Sequence, residues 1–199
     1  MTRWQLFLDA DTVPDARDQA WPSLRARVRQ PVLLHLRRRI EGWRLTEELA
    51  QDVCERLRKD YEGKGQDAAS ARLRDCLARE VEAVCLEHGV SGALDAEFEC
   101  DWASSLLGAA LEEFGRTHPD AYRLFLRLYD GERPLTAAEL AQKLQQPTDE
   151  VERRLTAGRA ELRRLFEMEI AHTVADETCL ADEVTRLLPR ARLLFGATA

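Results

Sequence analysis

Five arginines lie between residues 153 and 164, and guanidinium groups are the donors that DNA phosphates and base edges accept most often. The five are Arg153, Arg154, Arg159, Arg163 and Arg164. Apolar residues recur between them at helical spacing and predict a second, buried face: Val151, Leu155, Leu162 and Leu165. This pattern predicts an amphipathic helix that contacts DNA through its arginines. It is also typical of a solvated helix face, so both interpretations stay open at this point.

The residues before this helix predict the turn that positions it. Thr136-Ala-Ala-Glu139 fits a capping box, in which the threonine hydroxyl and the glutamate carboxylate bind backbone donors at a helix start. A short helix, Ala137 to Leu144, is expected to follow and to end at Gln145-Gln-Pro147. Thr148 is then expected as the N-cap of a longer helix from Asp149 to about Ile170. Helix, tight turn and helix are typical of DNA-reading units, whose second helix enters the major groove, and also of protein docking modules.

Two other groups of residues raise the question of catalysis or metal binding. Glu47-Glu48 and Glu112-Glu113 are paired carboxylates, but neighbours on a helix diverge by about 100°, so neither pair converges on one atom. Cys85 and His88 lie one turn apart and offer half a zinc site, without a second pair at a suitable spacing. The sequence contains no glycine-rich phosphate loop and no H-E-x-x-H motif. We expect no enzyme, catalytic residue, metal or cofactor, and a convergent acidic pocket would reopen the question.

Composition limits the classes of partner. The chain has 199 residues, with 29 Lys and Arg against 36 Asp and Glu, so its formal net charge is −7 and any DNA contact has to come from local patches. An apolar fraction of 45% is enough to bury a core. No run approaches the roughly 20 apolar residues of a membrane span, and the first residues do not fit a secretory signal. We expect a folded cytoplasmic protein without membrane contact, whose five cysteines are reduced and mostly buried.

Helical periodicity runs through almost the whole sequence, and no stretch alternates as a strand would, so the predicted fold class is all-α. Two helices are expected to meet near Gly42, and a third to run from Leu73 to about His88. Gly89-Val-Ser-Gly-Ala-Leu-Asp95 fits an interdomain linker. A second set of helices is expected after it, with a restart at His118-Pro119. We expect two small helical domains, residues 1–91 and 92–175, followed by a helical tail of residues 176–199.

Two separated stretches resemble the extracytoplasmic-function (ECF) sigma factors, helical subunits that direct bacterial RNA polymerase to promoters. Val151-Glu-Arg-Arg-Leu-Thr-Ala-Gly-Arg-Ala-Glu-Leu-Arg163 is similar to the recognition helix of the family, V-K-x-R-L-x-R-A/G-R-x-x-L-R. Thr46-Glu-Glu-Leu-Ala-Gln-Asp-Val-Cys-Glu-Arg-Leu57 is similar to A-E-D-L-T-Q-E-V-F-x-x-L, the helix that binds the clamp helices of the polymerase beta-prime subunit. The resemblance covers about residues 20 to 170. Phe166 to Asp176 also resembles an extension of sigma-like proteins of planctomycete type.

The resemblance implies a sigma region 2-like first domain and a sigma region 4-like helix-turn-helix in the second. It implies core RNA polymerase and promoter DNA as partners, and an anti-sigma factor or another regulator as a further one. Polymerase binding is assigned to four residues of one helix, which offer carboxylates and an amide to arginines of the clamp: Glu47, Glu48, Gln51 and Asp52. DNA binding is assigned to residues of the recognition helix: Thr148, Arg153, Arg154, Arg159 and Arg163.

The helix that melts and reads the promoter in this family corresponds to Leu73–Ala83, and it departs from the family pattern. Cys76 replaces a tryptophan and Ala83 an asparagine, while Glu80, Glu82 and Glu87 make the surroundings acidic. In the recognition helix, Glu152 and Ala157 replace two basic residues. Because unpaired bases stack on aromatic side chains in a positive groove, a second interpretation stays open. It is a sigma-like adaptor that binds RNA polymerase or another protein without melting a promoter.

Overall fold

The computed structural model describes residues 2–9, 11–65, 71–90, 96–131 and 133–191. Within these ranges the chain is almost entirely helical, and one isolated bridge is its only extended pairing. The helices are α1 (Arg3–Leu8), α2 (Pro14–Arg39), α3 (Trp43–Tyr61), α4 (Leu73–Glu87), α5 (Ala96–Thr117), α6 (Pro119–Leu128), α7 (Ala137–Leu144), α8 (Thr148–Ala171) and α9 (Glu177–Leu187). A 3-10 turn, Leu188–Ala191, follows α9. The predicted all-α fold class is confirmed.

The first large element is a helical hairpin of α2 and α3. Gly42 has a φ of 106°, a conformation that glycine adopts without strain, and it separates the two helices where the sequence predicts a break. The apolar residues of α3 repeat every three or four positions and are buried: Leu49, Val53 and Leu57. Helix α4 then packs against α3 and ends one residue before His88, as predicted.

Helix α2 is longer than its sequence indicates, because it continues through two prolines, Pro22 and Pro31. A proline inside a helix removes the hydrogen bond to the carbonyl four residues earlier. For Pro31 that carbonyl belongs to Arg27, and the hydroxyl of Ser105 on α5 donates to it at 3.4 Å. A contact with another helix therefore replaces the bond that the proline removes, and tertiary packing outweighs the local signal to end the helix.

Helix α5 lies at the centre of the molecule and packs against both α2 and α8. Its largest side chains are almost completely buried, namely Phe98, Trp102 and Phe114. On the α2 side, Arg38 forms an ion pair with the mostly buried carboxylate of Asp101. The buried apolar residues make one continuous core that includes members of every helix from α1 to α9.

The segment after α8, residues 172–175, runs between the start of α1 and the start of α4. It pairs with α4 through two backbone bonds, Leu73 N to Thr173 O at 2.9 Å and Ala175 N to Ala71 O at 2.8 Å. It pairs with α1 through the Thr2 hydroxyl, which donates to the carbonyl of Val174 at 2.8 Å. The end of α8 is thus tied to two elements that lie about one hundred or more residues earlier in the chain.

Helix α9 packs against α8 and covers the first turn of α4. Arg74 of α4 donates from Nε to one carboxylate oxygen of Glu183 at 2.9 Å and from Nη2 to the other at 3.4 Å. The Arg74 side chain is 7% exposed and the Glu183 side chain 2%. Arg186 and Arg190 extend this cluster to Glu99 of α5. The tail is helical through α9, whereas residues 192–199 lie outside the described ranges.

The predicted division into two domains falls at residue 92, and residues 91–95 are outside the described part of the chain. The division therefore stays a prediction. The described residues show how the helices on either side of residue 92 pack. Helix α2, before it, shares one core with α5 and α8, after it. Among these residues, no helix is both long enough and apolar enough to cross a membrane.

Candidate functional site

The short helix α7, its connection and the long helix α8 form the unit that the sequence predicts. The capping box at Thr136 is present: its hydroxyl accepts from the Glu139 backbone N–H, and the Glu139 carboxylate accepts from the Thr136 N–H. Helix α7 ends at Leu144, and its C-cap, Gln145, has a left-handed φ of 54°. The predicted N-cap is wrong by one residue. Pro147 holds that position in an extended conformation, and Thr148 is the exposed first residue of α8.

The four arginines assigned to DNA all lie on α8, but they are spread around it. Arg153 points away from the apolar face and is mostly exposed. Arg154 and Arg159 flank the apolar face on opposite sides and are half-buried, and the Nε of Arg159 is buried without a hydrogen-bond partner among the described residues. Arg163 lies further along the Arg159 side. The structure thus brings these four residues to one helix but does not place them in one row.

Three arginines of α8 bind carboxylates of the same helix: Arg153 binds Glu150, Arg163 binds Glu167 and Arg164 binds Glu161. Pairs of this kind, exposed and three or four residues apart, are worth only about 0.3–0.5 kcal/mol. A phosphate oxygen accepts the same charge-assisted hydrogen bonds, so it can replace these carboxylates at little cost. These three arginines are therefore paired in the free protein but remain available to an anionic partner.

Sequence reasoning missed a basic cleft beside the turn between α7 and α8. The cleft has a volume of about 190 Å³ and brings Arg123 and Arg127 of α6 next to Arg154. Arg154 donates to the side-chain oxygen of Gln146 at 3.0 Å, and Arg123 binds the one carboxylate of the cleft, Asp120, at 3.1 Å. Arg127 has no ion pair among the described residues. Three guanidiniums against one carboxylate give this cleft an excess of positive charge, and the four-residue spacing of the α6 arginines was the available signal.

The residues assigned to polymerase binding are together on α3, but they differ in accessibility. Glu48 is 63% exposed and Gln51 is exposed, and both point to solvent beside the half-buried Asp52. Glu47 is only 19% exposed, because its carboxylate binds Arg29 and Arg37 of α2.

The partners of the exposed members also lie close by. Glu48 accepts from Arg44 at 3.1 Å, one turn earlier on the same helix. Asp52 binds Arg56, and Arg56 also binds Glu87 of α4 through both of its terminal nitrogens. These hydrogen bonds raise the pKa of Arg56 above its usual range, and the Arg56 guanidinium lowers the pKa of Glu87. Of the four assigned residues of α3, Glu48 and Gln51 are therefore the accessible ones, with Asp52 at their border.

Helix α4, which the resemblance compares with the promoter-melting helix, presents few groups to DNA. Its first basic residue, Arg74, is buried against Glu183, and Cys76 is completely buried. The second, Arg79, is exposed and lies over the ring of Tyr61, 5.5 Å from the centroid. Several causes shift the pKa of Glu80, and burial, which is the largest of them, raises it. The exposed surface of this helix thus has one arginine and no aromatic residue of its own.

The candidate metal and acid–base groups are not brought together. Cys85 is buried whereas His88 is exposed at the end of α4, and the described residues hold no group of three or more His, Cys, Asp or Glu that suits a metal ion. Cys54 and Cys76 are buried as well, and burial raises the pKa of these thiols to about 11 and about 12. Cys100 is exposed.

A cleft with a volume of about 1060 Å³ lies between α2, α5 and α8. Its floor consists of small residues of α5, including Ser104, Ser105, Gly108 and Ala109. Three carboxylates that line it bind arginines: Glu113 binds Arg116, Glu161 binds Arg164 and Glu169 binds Arg27. Of the paired carboxylates, Glu113 is thus bound to Arg116, and Glu112 lines the same cleft.

Comparisons of the chain with protein-family models, with curated proteins and with solved structures find no match. Two surfaces of the chain itself indicate a function, namely the basic cleft beside the α7–α8 turn and the exposed acidic surface of α3.

Proposed function

We propose that this protein is a sigma-like factor that binds core RNA polymerase through α3 and promoter DNA through α7 and α8. The observation that carries the proposal is the basic cleft of Arg123, Arg127 and Arg154, which lies where the turn between the two helices would meet a DNA backbone. The proposal includes the finer assignments as well: region 2-like and region 4-like domains, the beta-prime clamp helices as the docking partner, the cytoplasm as the location, and an anti-sigma factor or similar regulator as a further partner.

Electrostatics support the DNA part of the proposal. The chain is acidic overall, so an excess of guanidiniums at one small cleft is a local feature rather than a consequence of composition. Phosphate contacts fix register and orientation on a duplex, and base contacts add sequence information. Arg154 belongs to the cleft and to the first half of α8, so it joins both kinds of contact. DNA binding should weaken steeply as the salt concentration rises. The logarithm of the binding constant should fall by about 0.9 for each tenfold increase in salt and each phosphate contacted.

The polymerase part is supported by the exposed surface of α3. Glu48 and Gln51 offer a carboxylate and an amide one turn apart, and among the described residues Glu48 is bound only by an exposed arginine of its own helix. An arginine on a partner helix can replace Arg44 and form a bidentate pair with Glu48. Because the helix is fixed from behind by Leu49 and Val53, this surface is presented rigidly.

The test is transcription by purified core RNA polymerase from a promoter library, with and without this protein. Glu48→Arg should abolish polymerase binding and transcripts, and Arg154→Glu should abolish transcripts while polymerase binding is kept. Glu112→Arg and Arg116→Glu change the same charges at exposed positions outside both surfaces and should leave transcription unchanged. The proposal is wrong if the wild-type protein does not bind the polymerase.

A second candidate function is favoured by the burial of Arg74 under α9. A promoter-melting helix needs free basic and aromatic groups, and α4 lacks both over most of its exposed surface. In this case the protein is an adaptor that binds the polymerase, or another protein, without melting DNA. Stable binding to the polymerase with no transcript from any library member, together with an unchanged result for Arg154→Glu, would favour the adaptor.

A further inference from the structure

A cleft of about 440 Å³ lies at the turn between α2 and α3, apart from the residues assigned to the polymerase and to promoter DNA. The end of α2 contributes Arg37, Arg38 and Arg39 to its lining, and the start of α3 contributes Trp43. Glu41 is the one carboxylate among the described residues that line it. The chain as a whole has a net charge of −7, so this basic lining is a local feature. We refer to it as the α2–α3 cleft.

The carboxylates that pair with two of these arginines are more deeply buried than the arginines. Arg37 donates to Glu47 at 2.8 Å, and Arg38 binds Asp101. The side chains of the two arginines are 39% and 46% exposed, whereas those of Glu47 and Asp101 are 19% and 9% exposed. The guanidiniums therefore face a ligand more fully than their counter-charges do. Both can donate to an anion, since an exposed ion pair exchanges its partner at little cost.

The aromatic part of the cleft is the one tryptophan that is not buried. Trp43 is 68% exposed, and the other three tryptophans are in the core: Trp4, Trp21 and Trp102. The guanidinium carbon of Arg37 lies 5.9 Å from the centre of the Trp43 ring, within the range of a cation–π contact, so the indole is held from the α2 side. Most of the other side chains of the cleft are charged. A flat aromatic surface among guanidiniums suits a nucleobase and its phosphate.

The openness of the cleft indicates which anionic ligand it fits. A free nucleotide would be held weakly, because small-ligand sites enclose most of the ligand and Trp43 is largely in solvent. An acidic peptide offers carboxylates but needs an apolar pocket for its anchoring side chains. A single strand supplies several bases and phosphates in series, each with a modest contact. Arg44, whose side chain is 92% exposed next to Trp43, can bind the following phosphate.

We propose that the α2–α3 cleft binds single-stranded nucleic acid, with one base stacked on Trp43 and neighbouring phosphates bound by Arg37, Arg38 and Arg44. The inference goes beyond the proposed function, because it assigns a second nucleic-acid site that needs neither the polymerase nor α8. The two functions are compatible on α3. Glu48 lies about 140° around the helix from Trp43, so a strand in the cleft leaves the acidic surface accessible.

Binding of a fluorescently labelled DNA strand of about eight nucleotides, followed by anisotropy at low salt, tests the site. Trp43→Ala should weaken binding by at least about tenfold, and Trp43→Phe should keep part of it. Val13→Ala is the matched control, because Val13 is a 65% exposed apolar residue at the other end of α2, and it should bind like the wild type.

Arg154→Glu separates the α2–α3 cleft from the α7–α8 unit and should weaken strand binding less than Trp43→Ala does. If Arg154→Glu removes binding and Trp43→Ala keeps it, the inference is wrong and the proposed function stands. If the wild type does not bind the strand, the inference is also wrong, whereas the proposed function is still decided by transcription with the polymerase.

The salt dependence of strand binding tests the phosphate contacts. Arg44→Gln should reduce the dependence of the logarithm of the binding constant on the logarithm of salt concentration by about 0.7, the value for one phosphate of a single strand. Arg116→Gln is its control, because Arg116 is likewise an exposed arginine paired within its own helix, and it should leave the dependence unchanged. An equal change in both variants would contradict a phosphate contact at Arg44.

Quenching of tryptophan fluorescence by acrylamide tests the stacking directly. Trp43 should account for most of the quenching in the free protein, and the single strand should protect it. The same sequence as a duplex should not, because its bases are already stacked. Equal protection by the duplex, by hexaglutamate or by a mononucleotide would show a different ligand for the cleft and overturn the inference.

Discussion

At the scale of single residues, the ion pair of Arg74 and Glu183 has the largest expected effect on stability. Both side chains are almost completely buried, and removing the Glu183 carboxylate leaves the buried Arg74 with only the half-exposed Asp75, at 3.0 Å, and Glu99, at 3.8 Å. Glu183→Gln should therefore lower the free energy of unfolding by about 1–3 kcal/mol, the cost of weakening a buried hydrogen bond to a charged group. The neighbouring Asp182 is 76% exposed, so Asp182→Asn should change the free energy of unfolding by less than about 1 kcal/mol. Urea unfolding followed by circular dichroism measures both, and equal effects of the two variants would contradict the prediction.

Glu139 gives a pH-dependent prediction at the start of α7. Hydrogen bonds from Arg133 and from the Thr136 backbone and hydroxyl lower the pKa of this carboxyl to about 2. A carboxyl with a lowered folded-state pKa contributes stability above its unfolded value of about 4.3, and loses it as the pH falls towards about 2. Arg133→Gln should raise this pKa towards the usual range, as measured by the NMR shift of the carboxyl carbon. Arg153→Gln is the control and should leave it unchanged.

The pairing of individual charges could not be predicted from the sequence. The i to i+3 and i to i+4 pairs on α8 follow from spacing, but those of Glu47 depend on how closely α2 approaches α3. The same limit applies to Arg123 and Arg127, which meet Arg154 only because α6 packs beside the α7–α8 turn. Residue types and spacing thus predict which groups a helix carries, whereas tertiary packing decides which of them stay accessible.

At the scale of elements, two glycines in helices should respond oppositely to the same substitution. A Cβ on Gly158 of α8 would lie 2.8 Å from a ring carbon of Phe125 and 3.6 Å from one of Phe114, so the helix could not keep its distance from α6. Gly158→Ala should lower the free energy of unfolding by about 1–3 kcal/mol. A Cβ on Gly108 of α5 would meet nothing within 4 Å, and Gly108→Ala should raise it by about 0.5–1 kcal/mol. Changes of the same sign, measured by urea unfolding, would show that the packing argument is wrong.

Most helices could be predicted where their boundaries are encoded locally. Helix α7 begins and ends at the predicted residues, because the capping box at Thr136 and Pro147 after its last turn are both local signals. The first half of α2 was not predicted, because Pro22 and Pro31 interrupt its pattern. Helix α1 was missed too. It has a capping box at Thr2 and Gln5, but six residues are too few to form a helix alone, so it depends on the packing of Trp4 and Phe7 in the core.

At the scale of the whole molecule, the continuous core predicts a single unfolding transition. Helix α5 packs on both α2 and α8, and residues 172–175 bind α1 and α4. Fluorescence, with Trp4 and Trp21 in the first part of the chain and Trp102 on α5, should change at the same urea concentration as circular dichroism. The amides of Leu73 and Ala175 should exchange with solvent as slowly as core amides. Two separate transitions would contradict this and favour independent domains.

The packing of the two parts of the chain could not be predicted, although most helices within each were. A glycine-containing segment suggests independence, and nothing local indicates that the Thr2 hydroxyl binds the carbonyl of Val174, 172 residues away. Contacts of such separation leave no periodic signal in the sequence. The same holds for the candidate site. The order of α7, turn and α8 could be predicted, whereas the basic cleft could not, because it depends on the packing of α6.

The position of residues 172–175 also has a consequence for synthesis. Helix α1 and the first turn of α4 obtain hydrogen-bond partners from this segment, so they cannot complete their packing until it has left the ribosome. Until then the nascent chain exposes apolar side chains such as Trp4, Phe7 and Leu73. Chaperone binding to the growing polypeptide should persist until the end of α8 emerges, and a chain cut before residue 172 should aggregate rather than yield a stable amino-terminal fragment.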